Sequence, residues 1–347
     1  MNPKDDFMSC LIHNGHENIP IFIFDTSFGA SILGIPVSDI YKDGFDPELS
    51  ARSISAGRRF LGHDGMNGAT SCGDTRVFGA EVDFFPNRPP MLRKNAFEDP
   101  MSLYDHTPEE MDNDVIDGIV GSYTKLRELE PDAVIAGYIA SPFLLAAVLR
   151  GLERVLMDSF SNLDYIDELM AFTEAAVSIV NDRIVREPSC DCTMIPGAYD
   201  NVGLLGLESL RRICIPPLER MYRKSRENGL PCIFHPHGCL TEFEGIDALN
   251  DFMDIGFECI YYGEDNDHSV IGELTDGRCS IMGGIDTATT IFLGDHERIA
   301  ADTSDVLKKT EGREFIFTCS CSVDANLERD KLKVMMDTAK GYLRARS

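Results

Sequence analysis

The chain has 347 residues, 43% of them hydrophobic and 26% charged, enough for one large domain with a full-sized core. Its net charge of −26, from 32 Lys and Arg against 58 Asp and Glu, argues against a nucleic-acid or anionic-membrane surface, since both need clustered basic residues. Eleven cysteines without regular spacing, and a first stretch interrupted by Asp5 and Asp6, predict reduced thiols, no secretory leader and a cytoplasmic protein.

In chain order, an N-terminal extension over residues 1–18 leads into short apolar runs that alternate with amphipathic segments. Strands are predicted at 19–24, 64–70, 133–139, 192–196, 231–235, 258–263, 279–284 and 314–319. Residues 73–107, rich in Pro and Asp, read as an irregular insertion covering one end. Ser141 before Pro142 is an N-cap with proline in the first turn, and Leu145, Leu149, Leu152 and Leu156 follow at near-helical spacing as one helix. The most apolar segment, Tyr138 to Leu149, is closed by Arg150 and is far short of the roughly 20 residues of a membrane span. Residues 162–186 form a second long helix. Pro216-Pro217 breaks the next, Gly229 caps its continuation, and helices over 246–255, 297–309 and 327–343 complete the series. Eight strand–helix repeats predict an α/β protein with a single (β/α)8 TIM barrel over residues 1–347.

In such a barrel the polar residues at the strand ends face one mouth. Here they are Asp25, Asn67, Tyr138, Ser141, Tyr199, Asp200, His235, His237, Glu264, Asn266, Asp286, Cys319 and Cys321. Asp, Ser and Asn also cap helices and close turns for purely local reasons, which is the competing account of Asp25, Asp200, Glu264 and Asp286.

Two strand ends carry potential metal ligands. Residues 231–235 run into His235-Pro236-His237-Gly238-Cys239, and the last strand runs into Cys319-Ser320-Cys321. Ligands two residues apart on extended backbone point to one face and can converge on one ion, and a mixed N/S donor set suits Zn²⁺. The alternative is packed core cysteines and solvated histidines.

The stretch from Gly137-Tyr138-Ile139-Ala140-Ser141-Pro142-Phe143 to Gly151, Cys190-Asp191, residues 231–238, Gly283-Gly284-Ile285-Asp286, and the segment from Cys321 to Met335 together resemble the uroporphyrinogen decarboxylase superfamily. Within it the chain is similar to the zinc-dependent corrinoid methyltransferases, such as the methylcobamide:coenzyme M methyltransferases. In that family the fifth strand ends His-x-Cys-Gly, and a cysteine after the last strand completes the zinc site. An ungapped alignment implies that His235, His237 and Cys321 hold zinc. A two-residue shift instead implies His237 and Cys239 with Cys321, and Cys319 is a further spare ligand. The Arg-rich motif of the decarboxylases has no counterpart around residues 21–30.

The resemblance implies transfer of a methyl group between a corrinoid and a small substrate, most simply a thiol activated as thiolate. Asp286, Tyr138, Asp200 and Glu264 would be catalytic, and Asp25, Ser141, Tyr199 and Asn266 would bind substrate. No Asp-x-His-x-x-Gly segment offers a ligand to cobalt, so the corrinoid is expected on a separate carrier protein. A metal-free lyase of the decarboxylase type and a non-catalytic small-ligand or zinc-binding barrel are the alternatives.

Overall fold

The computed structural model describes residues 2–70 and 74–344. Its strands are β1 (Phe22–Ile23), β2 (Gly65–Asn67), β3 (Glu81–Phe85), β4 (Arg88–Lys94), β5 (Val134–Tyr138), β6 (Cys192–Gly197), β7 (Cys232–Pro236), β8 (Cys259–Tyr261), β9 (Ser280–Ile285) and β10 (Phe315–Cys319). All but β3 and β4 pair in parallel, in the order β1-β2-β5-β6-β7-β8-β9-β10. Parallel bridges from Ile21 to Phe317 and from Asp25 to Val323 return the last strand to the first. The result is the (β/α)8 barrel expected from the eight apolar runs, each of which overlaps one strand.

Side chains alternate across a strand, and that period sorts two layers. Phe22, Val134, Met194, Ile233, Tyr261 and Ile316 belong to an inner cluster that fills the barrel. The intervening Ile23, Ile135, Ile195, Phe234, Ile260 and Phe317 join the larger cluster shared with the surrounding helices. Strands buried on both faces read as continuous apolar runs, which is why they were legible.

The base of the barrel is stoppered by the helix Pro3–Leu11, which Asn2 caps through the backbone N–H of Asp5. Phe7, Cys10 and Leu11 of this helix are fully buried in the inner cluster. Burying Phe7 and Leu11 holds the helix in place by about 3–6 kcal/mol.

Three local expectations change. Gly151, at φ 90° and ψ 133°, divides the expected leucine helix into Pro142–Arg150 and Leu152–Ser161. Pro216 and Pro217 open the helix Ile215–Glu227 rather than break one, because the first turn has no intrahelical donor to lose. The expected insertion begins at Gly73, outside the described residues, and from residue 74 onward it is largely ordered. It holds short 3₁₀ turns and the antiparallel hairpin β3–β4, where an irregular stretch was expected. Side chains of that hairpin, among them Val82 and Phe84, roof a cavity of about 330 Å³ over the ends of β1, β2 and β5. No helix among the described residues is long and apolar enough to cross a membrane.

Candidate metal centre

β7 delivers His235 to the mouth in inward register, two residues beyond Ile233. Its Nδ1 lies 2.7 Å from the carbonyl oxygen of Tyr261. A carbonyl only accepts, so Nδ1 carries the hydrogen and Nε2 is left as a bare lone pair. That Nε2 is buried and has no hydrogen-bond partner. The ring stacks on Tyr261 with centroids 3.8 Å apart and meets the Phe24 ring edge-on at 6.2 Å. Burial, assisted by neighbouring His237, pushes His235 down to about 3, so the imidazole is neutral.

His237 follows on the same side, its ring centroid 4.7 Å from that of His235. Burial holds it below the usual histidine range, against the pull of Glu264 and Asp265. Its Nε2 is 3.9 Å from Cys321 Sγ. Cys321 sits just past β10 on a turn tied to Thr287, whose Oγ1 lies 3.4 Å from the Cys321 backbone nitrogen. Burial pushes its thiol up, and the Glu264 carboxylate adds to the effect. One ligand atom from each of His235, His237 and Cys321 lies within 4.8 Å of the others. The orphaned Nε2, a second neutral imidazole and a thiol are a donor set that fits Zn²⁺.

The spare cysteines stand elsewhere. Gly238 adopts φ +89°, a conformation that favours glycine, and a Cβ there would meet the Asn201 side chain at 2.4 Å. This turn leads Cys239 away from the cluster, and its Sγ rests 3.7 Å from Thr241 Oγ1. Cys319 has the outward parity of its strand and packs against Met335 Sδ at 3.7 Å in the helix layer. The geometry therefore gathers the three residues that the ungapped alignment named, and Cys319 lies outside this cluster.

Of the remaining expected residues, several are occupied by structural hydrogen bonds. Asp25 accepts from the Gly29 backbone N–H at 3.0 Å, and its own N–H is taken by Asn67 Oδ1 at 2.7 Å. Burial nevertheless pushes its carboxyl up to about 7. Ser141 caps Pro142–Arg150 and donates to Asp200 at 2.5 Å, with both residues fully enclosed between the ends of β5 and β6. Burial raises Asp200 to about 6, and its Oδ1 has no partner.

Asn266 accepts from the Leu240 N–H at 2.6 Å and donates to the Gly238 and Gly263 carbonyls, stitching the turn behind His237 to the loop after β8. Asp286 caps its own turn through Ala288 and Thr289. It lines a polar cleft of about 290 Å³ with Glu264 and Asn266. Glu264 is exposed, and its charge reaches both His237 and Cys321.

Tyr138 lines the apolar cavity and packs on Phe24 at 5.9 Å, and Phe24 in turn touches His235. Tyr199 is half-buried against the outer core. Sequence reasoning passed over Tyr261, Thr287 and Phe24. Their positions at or beside strand ends were visible, but an aromatic or a threonine there reads as ordinary core.

The sequence matches the family described as Uroporphyrinogen decarboxylase (URO-D) over residues 3–342. No curated protein matches it in sequence. Among solved structures it is similar to a methyltransferase from Methanosarcina mazei, with 17% identity, a TM-score of 0.83 and 99% of each chain covered. It is also similar to a B12-independent methionine synthase from a Shewanella species in complex with selenomethionine, at 13% identity and TM-score 0.52, over 95% of this chain and 98% of that one. A putative vitamin-B12 independent methionine synthase from Listeria monocytogenes follows at 10% identity and TM-score 0.51, over 94% and 99%. At these identities the likeness is one of fold.

Proposed function

The chain belongs to the uroporphyrinogen decarboxylase family, and from that premise we propose that it is a zinc-dependent methyltransferase acting between a corrinoid on a separate protein and a small thiol. One observation carries the reading: the buried, unpartnered His235 Nε2 stands in one cluster with His237 and Cys321. Similarity of fold to a methyltransferase supports it, but only as analogy.

His235, His237 and Cys321 would hold the ion. The chemistry the ion would supply there is Lewis acidity, which would lower the pKa of a substrate thiol and make it a nucleophile near neutral pH. Tyr261 fixes the His235 tautomer and aims its lone pair into the cluster. Cys321 would have to shed its proton to bind, against burial and the charge of Glu264, both of which hold its thiol above the usual range. Two neutral imidazoles and one thiolate neutralise a dication less than the one imidazole and two thiolates of the resembled family. Such a donor set would leave more positive charge at the site, which would favour acceptors of high intrinsic reactivity. Phe24 and Tyr138, packed on each other beside His235, would form an apolar wall limiting water at the site.

The test measures zinc content together with methyl transfer from methylcobalamin to a panel of small thiols, in both directions. Stoichiometric zinc with transfer to at least one thiol is expected. A zinc-free protein, or zinc without any transfer to thiol or corrinoid, overturns the reading in favour of a metal-free lyase or a binding barrel respectively.

A further inference from the structure

We infer that Cys10, His16 and Glu314 form a second zinc site, structural in role, that clips the N-terminal segment to the base of the barrel. One ligand atom of each lies within 4.8 Å of the other two. In a parallel barrel all strands begin at one end. Glu314 immediately precedes β10, and Cys321 follows it, so the two clusters occupy opposite ends of the molecule and cannot share an ion.

The three residues come from separate stretches that are each already positioned. Cys10 is on the last turn of Pro3–Leu11, fully buried, and its carbonyl accepts from Ser280 Oγ at the start of β9. His16 lies in the loop that follows, which Asp6 holds by accepting from the Glu17 N–H at 2.8 Å and from Asn18 Nδ2 at 3.0 Å. The Glu314 carbonyl accepts from the Ile281 N–H at 2.9 Å. Little conformational entropy therefore remains to be lost when a metal joins them.

The competing account is hydrogen bonding alone. His16 Nδ1 is 2.9 Å from Glu314 Oε2, and the Cys10 thiol also reaches that carboxylate. Two features favour the metal. A thiol, an imidazole and a carboxylate together are the donor types zinc selects, and bonds of about 2.0–2.3 Å around a tetrahedral ion place ligand atoms roughly 3.3–3.7 Å apart, so the cluster needs only a small adjustment. In addition, a chain with a net charge of −26 attracts cations generally. His16 and Glu314 side chains retain 15% and 21% exposure, so the site opens to solvent on one side, where water takes the fourth position. Binding forms Zn–S, Zn–N and Zn–O bonds, releases the Cys10 proton to solvent and changes no oxidation state. The consequence is stability: an ion that binds only the docked helix adds its binding free energy to that of the folded state.

The experiment uses Cys321→Ala full-length protein, stripped of metal and reloaded with Co²⁺ or Zn²⁺. Expected are a thiolate-to-cobalt absorption band, one retained metal per chain, and a Tm that rises on adding Zn²⁺. Adding Cys10→Ser should remove the band, the metal and the Tm response together. His16→Ala, at a partly exposed position, serves in its place where the double variant does not fold. No metal in Cys321→Ala, or metal content unchanged by Cys10→Ser or His16→Ala, overturns the inference. Failure of the mouth site shows separately, as full zinc retention when Cys321→Ala is compared with wild type.

Discussion

His235 donates its Nδ1 hydrogen to the carbonyl oxygen of Tyr261 at 2.7 Å while lying over the Tyr261 ring with centroids 3.8 Å apart. The Tyr261 hydroxyl in turn donates to the Cys319 carbonyl at 2.8 Å, two residues before Cys321. One tyrosine thus orients His235 from β7 and pins the strand end that presents Cys321. Tyr261→Phe keeps the stack and loses the pin. Zinc affinity should fall by about 10–100-fold, read by competition with a chelator, the range typical when a residue that orients a ligand is lost. An unchanged affinity would show that the β10 end is held by its ladder alone.

Cysteine variants separate the three thiols near the mouth. On the proposed reading, Cys321→Ala and His235→Ala should lose zinc from the mouth site under chelator, because each removes one of the three clustered donors. Cys239→Ala should bind zinc like wild type. Cys319→Ala should also keep its zinc but lower stability by about 1–2 kcal/mol, since it empties a packed position against Met335. Zinc loss in Cys239→Ala would restore the shifted alignment.

Asn266→Ala removes three hydrogen bonds from the turn behind His237. Leaving the Leu240 N–H and two carbonyls without partners should cost roughly 2–3 kcal/mol in denaturant unfolding. A surface cap would cost a few tenths, and that result would mean water replaces the side chain.

The Asp200 carboxyl, raised to about 6 by burial, makes stability fall with rising pH. Between about 4 and 6 the folded state holds the proton that the unfolded chain has released, so the slope is negative there and flat above. Asp200→Asn abolishes the contribution. The wild-type stability minus that of the variant should decline by on the order of 2–3 kcal/mol across that window. A pH-independent difference would mean that Asp200 ionises as freely folded as unfolded.

His63 gives the opposite sign. Its Nδ1 is bound to the Gly65 carbonyl, its Nε2 is buried without a partner, and burial pushes it down to about 3. Below the ordinary histidine value the unfolded chain takes up a proton that the folded state refuses. Stability is therefore lost as pH falls from about 6.5 toward 3, at up to about 1.4 kcal/mol per unit. His63→Gln should remove its share of the slope in urea titrations at pH 5 and 7, leaving that of the equally buried His235. Persistence of the full slope in the variant would assign it to other histidines.

The strands and the barrel were determined by the sequence alone, and the pairing of a His-x-His strand end with Cys321 was what the family resemblance implied. Continuous apolar runs must be buried on both faces, and eight of them alternating with helices leave few closed arrangements. Composition likewise carried the argument against a basic binding surface. Whether His235 or Cys239 joins His237 and Cys321 was not legible. It depends on the parity of β10, which turns Cys319 outward, and on the positive φ of Gly238, which carries Cys239 aside. Nor did local pattern tell a mouth-facing Asp or Ser from a cap, since Asp25, Ser141 and Asp286 are the right residue types for both. Only the folded chain decides that, because a carboxylate's role follows from which backbone N–H groups and which cavity the tertiary structure places beside it.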